Sequence, residues 1–268
     1  MNQSLELHQV AAEFVAARRE ARALPTYPGK RPEALSQAYN IQNHALSLDG
    51  RRVVGWKVGK INPPDDALLG CNRLAGPIFA DSLVFVADGE APDMPVYVGG
   101  FAAAEAEILL HLAPHWDGRV PCDDEETMAI VDEVRFGLEI ASSPYRDINA
   151  DGPCVTVSDF GNNMGSVLGP SLAGWREVDL CAINIQTFVD GAPEGQATAA
   201  SMLDGPYGAV RFLLANLSER GISVSDGLWV SSGAITGVIP VEPGQSFTAR
   251  FGDYGEVGCR IIPAKARV

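Results

Sequence analysis

The hydrophobic positions of this chain fall into two regimes. In "SLELHQVAAEFVAARREAR", residues 4–22, Leu7, Val10, Ala11, Phe14, Ala17 and Ala21 recur at helical spacing and form one stripe. "LPTYPGKRP" breaks that rhythm. "PEALSQAYNIQNHALSL" restores it as a second helix, with Pro32 in the first turn and an end near Asp49-Gly50. "RRVVGWKVG" reads as a short strand, followed by the Pro/Gly-rich loop "KINPPDDALLGCNRLAGP". From about residue 77 the texture changes to short runs rich in Val, Ile and Phe, bounded by Gly, Pro, Asp and Asn. "SLVFVADG", "VRFGLEIA", "AINIQTFVDG", "QSFTARFGD" and "EVGCRII" are such runs, and each predicts a strand. One helix interrupts them: "PYGAVRFLLANLSERG" sets Val210, Leu213, Leu214 and Leu217 on one face, with Gly221 past its end. The pattern predicts a helical N-terminal region, 1–60, and a β-rich domain, 61–268, joined in one continuous unit of α+β class.

One strand carries the wrong residues for a core. "GGFAAAEAEILLHL", residues 99–112, sets Glu105 and Glu107 among alanines and leucines. In an extended strand residues two apart share a face, so these acids are neighbours beside Ala103 and Leu109, with Cα atoms ~6.5–7 Å apart. At an effective dielectric near 20 their repulsion is roughly 2–3 kcal/mol, and desolvation adds to it. Such a pair faces water, is matched by Arg or Lys, or binds a cation. No Lys or Arg lies within ten residues on either side. A third acid has a similar setting: Glu139 in "VRFGLEIASS" stands beside Gly137 and Ala141, opposite the apolar side formed by Val134, Phe136, Leu138 and Ile140. Three carboxylates on two strands form a hard-oxygen set suited to Mg²⁺ or Mn²⁺ and poorly suited to zinc or copper. Spacing alone does not bring Glu139 to the other two, and the solvent-facing reading stands beside the metal-bound one.

Composition narrows the classes. The 268 residues are 46% hydrophobic, enough for a sizeable core, and no apolar run reaches the ~18 residues of a membrane span. A formal charge of −14 repels nucleic acid and anionic lipid and otherwise speaks to solubility. Cys71, Cys122, Cys154, Cys181 and Cys259 form no CxxC pair, which argues against a disulfide framework or thiolate zinc site and for a reducing cytoplasm. The start lacks the features of a signal peptide and reads as mature cytoplasmic protein. Other motifs carry little. His111 and His115 in "HLAPH" are four apart, but Pro114 disfavours the helix that would align them. "CDDEE", residues 122–126, reads as a solvated turn rather than a calcium loop. No GxSxG or GxGxxG opening a helix is present.

Five segments occur in an informative order: "AYNIQ" at 38–42, "VVGWKVG" at 53–59, "EAEI" at 105–108, "LEIASSPY" at 138–145 and "DFGNNMGSVLGP" at 159–170. With the helix segment from Asp204 onward and "YGEVGCRI", they make the chain resemble the 2-keto-4-pentenoate hydratase branch of the fumarylacetoacetate hydrolase superfamily over nearly its whole length. The resemblance implies a mixed β-roll preceded by helices. It implies a divalent metal, Mg²⁺ or Mn²⁺, on Glu105, Glu107 and Glu139, with Lys57 and Asp81 (in "PIFADS") as catalytic residues. It implies a small-molecule 2-keto acid as substrate and a homo-oligomer. Family members often carry Asp-Ser-Arg where this chain has Ser142, Ser143 and Pro144, and Asp-Asn-Ala-Ser-Ser where it has 159–163. Asn162 and Asn163 are therefore expected to take over contacts to the substrate.

The activity this implies is hydration of a 2-hydroxy-2,4-dienoate to a 4-hydroxy-2-oxo acid in aromatic catabolism. The same scaffold serves 2-oxo-3-hexenedioate (4-oxalocrotonate) decarboxylases and hydrolases of acylpyruvates or fumarylacetoacetate. A hydrolase needs a His–Glu pair to activate water, and neither His8 nor His44 sits in such a motif. A catalytically silent partner subunit is the non-enzymatic alternative, against which the retained Lys57 and three glutamates count.

Overall fold

The computed structural model describes residues 3–114, 116–224 and 226–267. Two helices lead, α1 (Gln3–Glu20) and α2 (Leu35–Asp49). Val10, Ala11, Phe14 and Ala17 are buried, as their stripe requires. Ala21 is not part of that stripe's helix: it follows α1 with a left-handed φ of 51° and ends it. Pro32 likewise precedes α2 rather than opening it. Gly50, at φ 73°, closes α2 by donating its N–H to the Leu46 carbonyl. The two helices share a core of their own with Tyr27, Phe79, Tyr145 and Phe160.

The chain then runs through β1 (Val53–Lys60), α3 (Asp65–Leu69), β2 (Arg73–Phe79), β3 (Leu83–Phe85), β4 (Asp93–Val96) and β5 (Phe101–Leu112). Next come α4 (Asp124–Ile130), β6 (Val131–Ser143), α5 (Pro153–Ser158), β7 (Asn163–Ser171), β8 (Asn184–Val189) and β9 (Ala192–Thr198). The last elements are α6 (Gly205–Glu219), β10 (Leu228–Ser231), β11 (Ile239–Pro240), β12 (Ser246–Phe251) and β13 (Glu256–Pro263). One sheet has the order β2-β1-β10-β5-β6-β7-β3, with β11 also on β5; the other runs β4-β13-β12-β8-β9. Both are mixed: β1 is parallel to β10 but antiparallel to β2, and β13 is parallel to β4 but antiparallel to β12. Because β1 belongs to the first sheet, the N-terminal segment and the β-rich part share it.

Alternation along β5 and β6 decides what each face does. Ala104, Ala106, Ile108, Leu110 and Leu112 of β5, with Val134, Phe136, Leu138 and Ile140 of β6, enter the main core. Ile185, Phe247, Phe251, Val257 and Ile261 of the second sheet complete it, so that face is filled. The acids occupy the opposite face. Helix α6 buries Val210, Leu213, Leu214 and Leu217 in the same core, and Gly221 follows at φ 66°. "CDDEE" is not a plain turn. Asp123 caps α4 by accepting the Glu126 N–H at 2.8 Å, while the Glu126 carboxylate accepts the Cys122 N–H at 2.9 Å, a reciprocal cap legible as D-x-x-E. No helix among the described residues is long and apolar enough to cross a membrane.

Candidate metal centre

The antiparallel register of β5 and β6 sets Glu105 directly opposite Glu139, and Glu107 opposite Gly137. Directly opposed like charges destabilise a sheet, so this pairing needs compensation. A Cβ at Gly137 would meet the Val167 carbonyl at 2.3 Å and Leu109 at 2.5 Å, so glycine there admits neighbouring atoms rather than leaving room for ligand. Glu105 is 4% exposed, while Glu107 and Glu139 are fully buried, which removes the solvent-facing reading. One carboxylate oxygen from each lies within 4.8 Å of the others.

Among the described residues the cation paired with this trio is Lys57, whose Nζ lies 3.4 Å from Glu139 Oε1. Three carboxylates facing one ammonium leave a surplus of two negative charges. Burial, with Glu139 next in weight, pushes the Glu105 carboxyl up to about 8; burial and both neighbouring acids hold Glu107 well above the usual carboxylate range. Burial alone would lower the Lys57 ammonium, but Glu139, Glu105 and Glu107 carry it the other way, and it stays protonated.

The remaining oxygens divide into held and unheld. Glu107 Oε2 accepts the Ser231 hydroxyl and, at 2.9 Å, the Gly233 N–H. Glu139 Oε1 accepts the Asn163 amide at 3.0 Å. Glu107 Oε1 and Glu139 Oε2 are buried without a hydrogen-bond partner. Orphaned buried carboxylate oxygens are costly, and a hard dication satisfies them while offsetting the surplus charge. The donor set fits Mg²⁺ or Mn²⁺.

The structure places four of the five remaining expected or decoy residues. Asn162 lines the cavity and accepts from Lys57 Nζ at 3.4 Å, whereas Asn163 is buried outside that lining and donates its amide to Glu139. Asp81 is not brought to the trio: its half-exposed carboxylate lies 3.4 Å from Arg51, away from the cavity lining. His111 is bound to Asp132 at 2.6 Å and packed on Trp229; His115 lies outside the described residues. One site-building residue, Arg18, had no sequence signal, and its partner Asp159 was marked only as the first residue of the 159–163 segment. Arg18 of α1 and Asp159 form a buried ion pair across 141 positions at 2.5 Å. Beyond Asp159 the backbone is left-handed at Phe160, Gly161 and Asn162 in succession, with φ of 55°, 61° and 56°. Non-glycine residues held there cost about 1–3 kcal/mol each and persist where the surroundings over-determine them.

Above the trio opens a cavity of about 580 Å³ lined by Lys57, Glu105 and Asn162 at its floor. Lys60, Asp65, Arg73, Met202, Leu203 and Val238 form its walls and mouth. The arrangement can hold a small polar chain by one end against a divalent ion, with an ammonium beside it.

A helical lead, mixed curled sheets and a buried acidic trio under a cavity define a metal-dependent enzyme of the β-roll type. No protein-family model matches the chain. It is 30% identical over 227 residues to the 2-keto-4-pentenoate hydratase of Paraburkholderia xenovorans (strain LB400), covering 83% of this chain and 82% of that one. It is 26% identical over 269 residues to the 4-oxalocrotonate decarboxylase of Pseudomonas putida, covering 98% and 100%. Its fold is that of the 4-oxalocrotonate decarboxylase from Pseudomonas putida G7 solved with magnesium and adipate, at TM-score 0.77, 24% identity and coverage of 96% and 98%. The chain belongs to the 2-keto-4-pentenoate hydratase branch of the fumarylacetoacetate hydrolase superfamily.

Proposed function

We propose that this protein is a divalent-metal-dependent hydratase that converts a 2-hydroxy-2,4-dienoate to a 4-hydroxy-2-oxo acid. The observation that carries this reading is the convergence of buried Glu105, Glu107 and Glu139, the last two with an unpartnered oxygen each, beside a protonated Lys57, with Lys57 and Glu105 lining one cavity. These three glutamates would hold the ion. When bound, it supplies positive charge where the carboxylate and 2-oxygen of a 2-oxo acid gather negative charge.

The chain's own groups do the rest. Lys57 is fixed from two sides by Glu139 and Asn162, so its ammonium is pre-aimed and donates to the 2-oxygen as charge develops there. Net hydration consumes one water: its hydroxide adds to C4, and its proton together with the proton released from the 2-hydroxyl, which becomes the 2-oxo group, end on C5 and C3. Because Lys57 stays protonated, it serves as donor and charge stabiliser rather than as base. The carboxylate on the cavity wall outside the trio is Asp65, and it takes the proton-exchange role toward the far end of the dienoate. Asp81 enters no step, given its place against Arg51.

A second reading has an observation in its favour. The decarboxylase relative aligns over 98% of this chain, more than the 83% of the hydratase relative, although at lower identity. Both reactions need the same enolate-stabilising site. One experiment separates them: incubate the protein with Mg²⁺ or Mn²⁺ and either 2-hydroxypenta-2,4-dienoate or 2-oxo-3-hexenedioate. Loss of diene absorbance without CO₂ is the expected result. CO₂ release from the diacid with no hydration of the dienoate would replace the hydratase reading by the decarboxylase one.

A further inference from the structure

We infer that the buried Arg18–Asp159 pair is a positioning device for the metal centre, clamping the 159–163 turn so that Asn163 holds Glu139 and Asn162 meets Lys57. The inference rests on the reading of the glutamates as a metal site. Arg18 is 2% exposed, although it occupies a helix that otherwise packs through its apolar stripe. Its guanidinium grips both oxygens of Asp159, at 2.5 and 3.0 Å. It also donates to the backbone carbonyls of Asp159, at 3.2 Å, and of Asn163, at 2.9 Å. Those carbonyls bracket the three left-handed residues, so one side chain fixes both ends of the strained turn. A further donation, to the Ser142 carbonyl at 3.2 Å, ties the turn to β6, the strand that carries Glu139.

The turn delivers two side chains in opposite directions. Asn162 goes to the cavity and Lys57; Asn163 goes, outside the cavity lining, to Glu139 Oε1. Close packing supports this placement from the other side, since a Cβ at Gly76 of β2 would meet the Phe160 carbonyl at 2.1 Å. Outer hydrogen bonds that orient a ligating carboxylate set the geometry that an ion meets. Arg18 and Asp159 touch neither ion nor substrate. They act through the asparagines, as positioning residues.

A purely structural ion pair would have the same coordinates, so the test must keep the fold while removing the clamp. Replacing a buried pair jointly by apolar residues is often neutral for stability, whereas removing one partner is not. The full-length protein is therefore titrated with Mn²⁺ by calorimetry as wild type, Arg18→Met/Asp159→Leu, Asn163→Ala and the triple combination. The double variant is expected to keep its thermal midpoint and to bind Mn²⁺ about 10–100-fold more weakly. Asn163→Ala should weaken binding similarly, and the triple no further than either, because both changes sever one relay. Wild-type Mn²⁺ affinity in a folded double variant overturns the proposal, as does a triple variant whose losses multiply. Should the double variant not fold, Arg18→Lys decides, since it keeps charge and stem but lacks the fork. Several-fold weaker Mn²⁺ binding then supports the clamp, and unchanged binding overturns it. A wild-type protein that binds no Mn²⁺ removes the metal reading itself, and the clamp's function with it.

Discussion

The floor of the cavity is made by Lys57 and Glu105 of two strands of one sheet with Asn162 beside them, and its mouth by Asp65, the segment 201–203 and the segment 233–238. There Glu105 faces the fully buried Glu139 through an antiparallel ladder, and the register sets both carboxylates. At the mouth, Leu203 and Val238 are 44% and 47% exposed, and Lys60 and Asp65 project from the end of β1 and the start of α3. Strand-borne groups cannot move without breaking backbone hydrogen bonds, whereas turn-borne groups can be exchanged at little cost to the fold. The floor therefore fixes the class of reaction. In the proposed reading the mouth, Asp65 apart, meets the end of the substrate that the reaction does not touch.

Substitution on the floor gives the largest expected effect. Glu107→Gln removes one charge from the trio but keeps its shape and its acceptor for the Gly233 N–H. Turnover with saturating Mg²⁺ should fall by about 10³-fold or more, since several kcal/mol of charge stabilisation are lost with the ion. The metal-free protein should melt no lower than wild type, because a buried carboxylate held well above its usual range is no longer present. Activity kept within tenfold would show that the trio is not the metal site.

The wall gives an intermediate effect and tests the assignment of Asp65. Asp65→Asn should lower kcat by about 10²-fold, the lower end for loss of a general acid or base, with Mn²⁺ binding unchanged. Asp81→Asn loses a half-exposed contact to Arg51 and should change kcat by less than about threefold. A large loss in Asp81→Asn alone would return the proton-transfer role to that residue and show that the turn around 80–82 closes on the cavity in solution.

The same contrast explains what the sequence disclosed. The floor was legible because period-two alternation is a local signal: an acid on an otherwise apolar strand declares itself, and Glu139 stood opposite the apolar side of β6. The faces of α1 and α6 were legible for the same reason, with a period of 3.6. Arg18 was not. In "VAARRE" it reads as one of two solvated arginines, and its partner lies 141 residues away. Nothing local marks Phe160 as left-handed, because that conformation is imposed by the clamp and by the close approach of β2. Asn162 and Asn163 were expected to act alike. A turn that reverses between them sends one to the cavity and the other to Glu139. Asp81 was carried by family resemblance alone, and short turns are where such correspondence transfers least well.

The smallest effect is the most diagnostic of why the floor needs an ion. Glu105 has an ordinary value of 4.5 and is raised by burial, and then by Glu139, to about 8; Glu107 is raised as well. Between those values the folded apo-protein binds more protons than the unfolded chain. Stability attributable to these acids is therefore full below about pH 4.5 and declines as pH rises toward 8. A divalent ion competes for the same oxygens and displaces those protons, so its binding strengthens over the same interval. Thermal melts at pH 6 and pH 8, with and without 5–10 mM Mg²⁺ (roughly a saturating range for linkage), should show a larger metal-induced rise at pH 8. The difference should be about 3–6 °C, corresponding to ~1–2 kcal/mol for a chain of this size. Glu107→Gln should show almost none of it. A metal-induced shift independent of pH would mean that the carboxylates are already ionised in the apo-protein, and that Lys57 and the surrounding dipoles suffice to hold them so.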